Sequence, residues 1–203
     1  GYEALARSDE PTLSTPGPLF EAAARLGRTL DLGRALRARI GGSIADAPAK
    51  ARLFVNLHVI ELEDEELYTA REPLRRWADR VVLEITERDS LDRIRGLAER
   101  IDRLRAAGFR IAVDDLGAGY AGLTSFAQLK PAVVKIDMSL IRDIDKSPVQ
   151  QRIVRAMVSL CADSDVEFVG EGIETEPERQ ALGALGCELH QGFLYARPQR
   201  GFC

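Results

Sequence analysis

Short runs of aliphatic and β-branched residues alternate with amphipathic stretches along most of the chain. The runs at 52–58, 81–86, 110–114, 133–137 and 167–171 are apolar almost throughout, as expected of strands covered on both faces. Segment 2–7 reads as a further strand and 189–195 as a weaker one. Between them, apolar positions recur at helical spacing. Leu91, Ile94, Leu97, Ile101 and Leu104 share one helix face, and Gly108 follows as a stop. Ser147 and Pro148 have the order of an N-cap and a first-turn proline, ahead of Val149, Ile153 and Met157. Thr175 and Glu178 have capping-box spacing, and Gly186 ends that helix. Residues 18–44, rich in Ala, Leu and Arg, predict one or two helices after a loop at 14–18.

Repeated strand–helix units imply an α/β fold with a parallel sheet. A doubly wound sheet and a TIM-like (β/α)8 barrel both satisfy this pattern. No glycine-rich phosphate loop follows any strand, and that favours the barrel. The chain opens abruptly at Gly1 and Tyr2 in a strand. The expectation is therefore one domain over 1–203, cut at its N-terminus, with the barrel's first strand missing.

Polar residues recur at or near the C-terminal ends of the apolar runs: Glu3, Asn56, Glu84, Asp114 with Asp115, Lys135, Glu171 and Gln191. Charges inside strands buried on both faces are costly. They are tolerable where strands converge on a polar rim, which in a barrel is the catalytic face. Solvated strand ends or structural ion pairs explain any one of them; a repeat in each βα unit points to a site. Carboxylates gathered on one rim repel unless cations compensate. All-oxygen donors suit Mg²⁺ or Mn²⁺ better than zinc, and two such ions can activate water against a phosphodiester. A barrel lysine such as Lys135 can also form a Schiff base with a carbonyl substrate, which leaves an aldolase-type alternative. His58 shares a strand face with Asn56, so it either approaches the rim or is merely packed or solvated. Trp77 falls in a predicted helix, as a core or interface residue.

Composition adds limits. The 203 residues are 45% hydrophobic, enough for one sizeable core. Lys and Arg number 28 against 32 Asp and Glu, a net charge of −4, and no basic run argues for a DNA or RNA duplex as partner. Cys161, Cys187 and Cys203 lie far apart with no C-x-x-C pair, which fits a reduced, cytoplasmic setting. No apolar run approaches the length of a membrane span.

Seven ordered motifs carry a resemblance. They are Glu3-Ala4-Leu5-Ala6-Arg7, Val55-Asn56-Leu57, Glu84-Ile85-Thr86-Glu87, Asp114-Asp115-Leu116-Gly117-Ala118-Gly119-Tyr120, Lys135-Ile136-Asp137, Glu171-Gly172-Ile173-Glu174-Thr175 and Gln191-Gly192-Phe193. In this order they resemble the EAL family of bacterial cyclic di-GMP phosphodiesterases. The resemblance implies a modified TIM barrel that hydrolyses cyclic di-GMP to linear pGpG with two Mg²⁺ or Mn²⁺ ions. It implies Glu3, Asn56, Glu84 and Asp114 as ligands of one metal, and Asp114, Asp115 and Glu174 as ligands of the second. By the same resemblance Lys135 contacts the nucleophilic water, with Glu171 as general base or supporting carboxylate. Arg7 binds a substrate phosphate, Gln191 supports the site, and Glu87 anchors the loop after Asp115. Homodimers, and regulatory domains within a larger signalling protein, are implied too. Leu116 and Ala118 depart from the family's usual Phe and Thr. That departure keeps open a degenerate module that binds cyclic di-GMP or a protein partner without turnover.

Overall fold

The structure is a computed structural model that describes residues 1–86, 91–117 and 122–202. The chain divides into two compact units, Gly1–Ile85 with Asp89–Arg110 and Arg200–Cys203, and Ile111–Gln199 with Thr86–Arg88.

In the first unit three strands pair in parallel and in chain order: β1 (Tyr2–Ala4), β2 (Leu53–Asn56) and β3 (Val81–Thr86). Between β1 and β2 run α1 (Pro16–Arg25) and α2 (Thr29–Ser43). The expected loop at 14–18 is shorter than predicted, because Pro16 opens α1 from the N-cap residue Thr15. Proline needs no N–H in a first helical turn and arrives with the right φ. The segment after β2 coils into short 3₁₀ helices, Val59–Glu63, Glu65–Tyr68 and Arg75–Arg80. Trp77 sits in the last of these, half-buried, with its indole N–H donating to the Gly41 carbonyl (3.3 Å). The single helical face expected from Leu91 to Leu104 is split into a 3₁₀ turn (Leu91–Arg93) and α3 (Leu97–Ala106). Gly96, at φ 65°, takes the left-handed turn between them.

In the second unit four strands pair in parallel and in order: β4 (Arg110–Leu116), β5 (Val133–Ile136), β6 (Glu167–Gly170) and β7 (Leu189–His190). Helices α4 (Gly122–Leu129), α5 (Met138–Ile141), α6 (Pro148–Asp163) and α7 (Glu176–Ala184) fill the intervals. The caps read from sequence are present: Ser147 accepts from Gln150 N–H, and Thr175 and Glu178 form the reciprocal box. β7 is shorter than the run 189–195, because the N–H groups of Tyr195 and Ala196 turn back to the Gly192 carbonyl. Val113, Val133, Val134, Ile136, Ile144, Val154, Ile173 and Leu182 are fully buried here. Each such aliphatic side chain contributes about 1.5–3 kcal/mol.

Candidate metal centre

Parallel pairing decides which side chains meet. Val113 is level with Val134 and Leu116 with Ile136, so Asp114 and Asp115 together fall opposite Lys135, whose own partner in β6 is Val169. Glu171 lies two residues past Val169 and so returns to the same face. The salt bridges follow: Lys135 Nζ is 2.7 Å from Glu171 Oε1 and 3.4 Å from Asp114 Oδ1, with the lysine side chain 1% exposed.

In a regular strand Asp115 would face away from Asp114. The register instead shifts between Val113 and Leu116, a bulge, and Asp115 takes φ 56°. Aspartate tolerates this left-handed conformation better than most residues, at a cost of about 1–3 kcal/mol. The result is a group in which one oxygen each of Asp114, Asp115 and Glu171 lie within 4.8 Å of one another. Three grouped carboxylates, two of them paired with one ammonium, leave an excess of negative charge at a largely buried place. That donor set, all oxygen and anionic, fits hard divalent cations.

Gln191 is tied through its backbone: its N–H donates to Gly170 O (2.8 Å) and its carbonyl accepts from Ile173 N–H (3.1 Å). Gly192 follows at φ 154°, where a Cβ would lie 2.1 Å from the Ile173 carbonyl oxygen. This close approach explains a glycine there. Glu174 points to Arg142, with Nη1 to Oε2 2.7 Å, and the guanidinium holds its carboxyl below the usual carboxylate range. Arg142 Nη1 also lies 3.8 Å from Glu178 Oε1. Burial pushes the Glu178 carboxyl up. The N–H groups of Glu174, Asp143 and Thr175, with the Thr175 hydroxyl, outweigh that and hold it low.

In the first unit, Asn56 is the register partner of Glu84, and Glu3 pairs with Phe54 on the face of Asn56. Asn56 Nδ2 donates to Glu3 Oε1 (3.1 Å), and Glu84 is fully buried. Arg7 is exposed, its guanidinium donating to Ala6 O (2.7 Å). Glu87 and Ala118 lie outside the described residues, whereas Leu116 is buried, 3% exposed. His58 caps the 3₁₀ helix that follows β2, its Nδ1 accepting from Ile60 N–H (3.2 Å).

Two arginines escaped the sequence reading, Arg142 and Arg37. Arg37 is buried on α2 among Glu61, Asp64 and Glu72. Its signal was faint: a glycine one turn earlier in a helix, and an acidic stretch after the 52–58 run.

The EAL domain family matches residues 1–198. The chain is 31% identical over 212 residues to the bifunctional diguanylate cyclase/cyclic di-GMP phosphodiesterase MucR of Pseudomonas aeruginosa, covering 98% of this chain and 30% of that protein. It is 29% identical over 205 residues to the cyclic di-GMP phosphodiesterase PdeR of Escherichia coli, covering 97% and 31%. It therefore spans about a third of the length of these curated relatives. Among solved structures it resembles Klebsiella pneumoniae BlrP1 in a calcium and cyclic di-GMP complex, with TM-score 0.81 and 33% identity over 97% of this chain and 50% of that one. BlrP1 is also known as a manganese and cyclic di-GMP complex. The parallel strands, the intervening helices and this likeness give the fold class, a TIM-like βα barrel. With a match that runs nearly end to end, the chain belongs to the EAL domain family.

Proposed function

We propose that the chain carries a divalent-metal-dependent phosphodiesterase site that opens cyclic di-GMP to linear pGpG. The observation that carries this reading is the grouping of Asp114, Asp115 and Glu171 oxygens, with buried Lys135 paired to Asp114 and Glu171. Asp114 and Asp115 are the residues of this group that would hold Mg²⁺ or Mn²⁺. By the family pattern Glu3, Asn56 and Glu84 serve as further ligands, and Glu174 joins the second ion directly or through water. When bound, such ions lower the pKa of water and neutralise phosphate charge. The rest belongs to the chain's own groups. Lys135 donates from Nζ to Glu171 and holds it and Asp114 in place, and its charge favours the attacking water. Glu171 accepts the proton of that water. One P–O bond forms to the water oxygen and one breaks to the ribose oxygen, which takes up a proton from solvent as Glu171 gives its proton back, so a single ring opening consumes one water. Arg7 binds a phosphate of the substrate, Gln191 supports the site, and Glu87 anchors the loop that follows Asp115. Assembly as a homodimer, and regulatory domains in a larger cytoplasmic signalling protein of a bacterium, complete the proposal.

The test is incubation of cyclic di-GMP with the chain and Mn²⁺ or Mg²⁺, with chromatography of the products. We expect pGpG, no product in EDTA, and a loss of about a hundredfold or more in Glu171→Ala at unchanged circular dichroism. Binding of cyclic di-GMP without product would instead identify a non-catalytic module. Wild-type turnover in Glu171→Ala would remove that residue from its role.

A further inference from the structure

The first unit buries a charge cluster that the proposed chemistry does not use. Arg37, 2% exposed, donates from Nε to Glu72 Oε2 (3.1 Å), from Nη2 to Asp64 Oδ2 (3.2 Å) and from Nη1 to Glu61 Oε2. Arg34 grips Asp64 with two parallel bonds, Nε to Oδ2 at 2.9 Å and Nη2 to Oδ1 at 2.7 Å. Taking such charges out of water is costly, so a cluster of this kind is weak evidence of stabilisation for its own sake.

Its connections show another use. Glu61 also accepts, through Oε1, the backbone N–H of His58 (3.0 Å), two residues past Asn56. His58 Nδ1 accepts from Ile60 N–H, and Leu57 N–H donates to Glu84 O (2.8 Å). The chain leaving β2 is therefore held on one side by β3 and on the other by Glu61, which Arg37 fixes in turn. Gly33 lies one helical turn before Arg37 on the same face. A Cβ there would stand 2.0 Å from Glu61 Oε2. Glycine inside a helix costs about 0.5–1 kcal/mol relative to alanine. Here its missing side chain is the space that the Glu61 carboxylate occupies.

We infer that Arg37 and Glu61, with the gap left by Gly33, are positioning residues that set the end of β2 and so present Asn56 for metal binding. This rests on the metal reading above. The test is Mn²⁺ binding by isothermal titration calorimetry without nucleotide, together with hydrogen exchange at residues 56–58. Glu61→Ala is expected to weaken Mn²⁺ affinity about tenfold, the size seen when a group supporting a ligand is removed. Exchange at 56–58 should accelerate, while turnover at saturating Mn²⁺ changes little. Gly33→Ala should move affinity the same way, and Glu61→Gln, which keeps one acceptor, should fall between. The milder variant carries the test if Glu61→Ala does not fold. Leu104→Ala, a buried position in α3, serves as the control for lost stability alone. Affinity in the Glu61 variants equal to wild type, or reduced no more than in Leu104→Ala, would overturn the inference. If the unaltered protein binds no Mn²⁺, the phosphodiesterase reading fails. The exchange at 56–58 then decides the positioning claim alone.

Discussion

Lys135 is a cation set where metal ions would also compensate charge. With its side chain 1% exposed and two carboxylates beside it, its removal leaves Asp114 and Glu171 without their ammonium. Breaking a buried pair from one side costs about 3–5 kcal/mol. Lys135→Met should therefore lose stability of that order in EDTA and recover part of it when Mn²⁺ is added. Urea denaturation in both conditions measures this. An equal loss with and without Mn²⁺ would mean that the lysine and the ion do not share a site. At this scale much was legible in sequence. Asp114, Lys135 and Glu171 stand out as charges ending apolar runs, and strand periodicity puts them on one face. The conformation of Asp115 was not legible. Alternation alone turns its side chain away, and only the bulge, a tertiary feature of the β4–β5 pairing, brings it back.

At the scale of elements, α7 does more than fill an interval. Its capping Glu178 collects the N–H groups of Glu174 and Thr175 after β6 and of Asp143 after α5. It thereby ties the segment that carries Glu171 to the one that follows Lys135. The sign of its pH dependence follows from a folded pKa below the ordinary one. Its contribution is complete above the unfolded carboxylate range and is lost as pH falls through the folded value. The gap in melting temperature between wild type and Glu178→Gln should thus be widest near neutrality and close as pH falls through and below the ordinary carboxylate range. A gap that stays constant over that range would place the effect in packing rather than charge. The capping box itself was readable from Thr175 and Glu178. The reach to Asp143 was not, because it joins residues 35 apart in sequence that only the fold brings together. α2 was harder still. Its charges fall on several faces, and an arginine in such a helix reads as solvated until the acidic segment after β2 is folded over it.

For the whole molecule, binding to the native state alone should appear as stability. At a hundredfold excess over Kd a ligand adds about 2.7 kcal/mol, which for a chain of this length is a rise of roughly 5–10 °C in Tm. Mn²⁺ with cyclic di-GMP should produce such a shift in Glu171→Ala, where the nucleotide is not consumed. Neither unrelated dinucleotides nor nucleotide in EDTA should match it. An unmoved Tm at millimolar ligand would count against the family's ligand for this chain. The barrel class was legible because seven apolar runs repeat at βα spacing. The ligand was legible only through ordered motifs, since carboxylates on a rim specify a cation but not the phosphodiester that follows it.

Gly33 and Glu61 leave a mark that comparison of related sequences can find. A side chain at 33 and the carboxylate at 61 would claim the same space. Neither residue is then free to drift alone. A lineage that gains a side chain at 33 is expected to shorten or neutralise the residue at 61 in the same step, and to release Arg37 from burial with it. The pair is expected to be inherited as a unit, and a natural sequence that breaks it would show what the end of β2 tolerates.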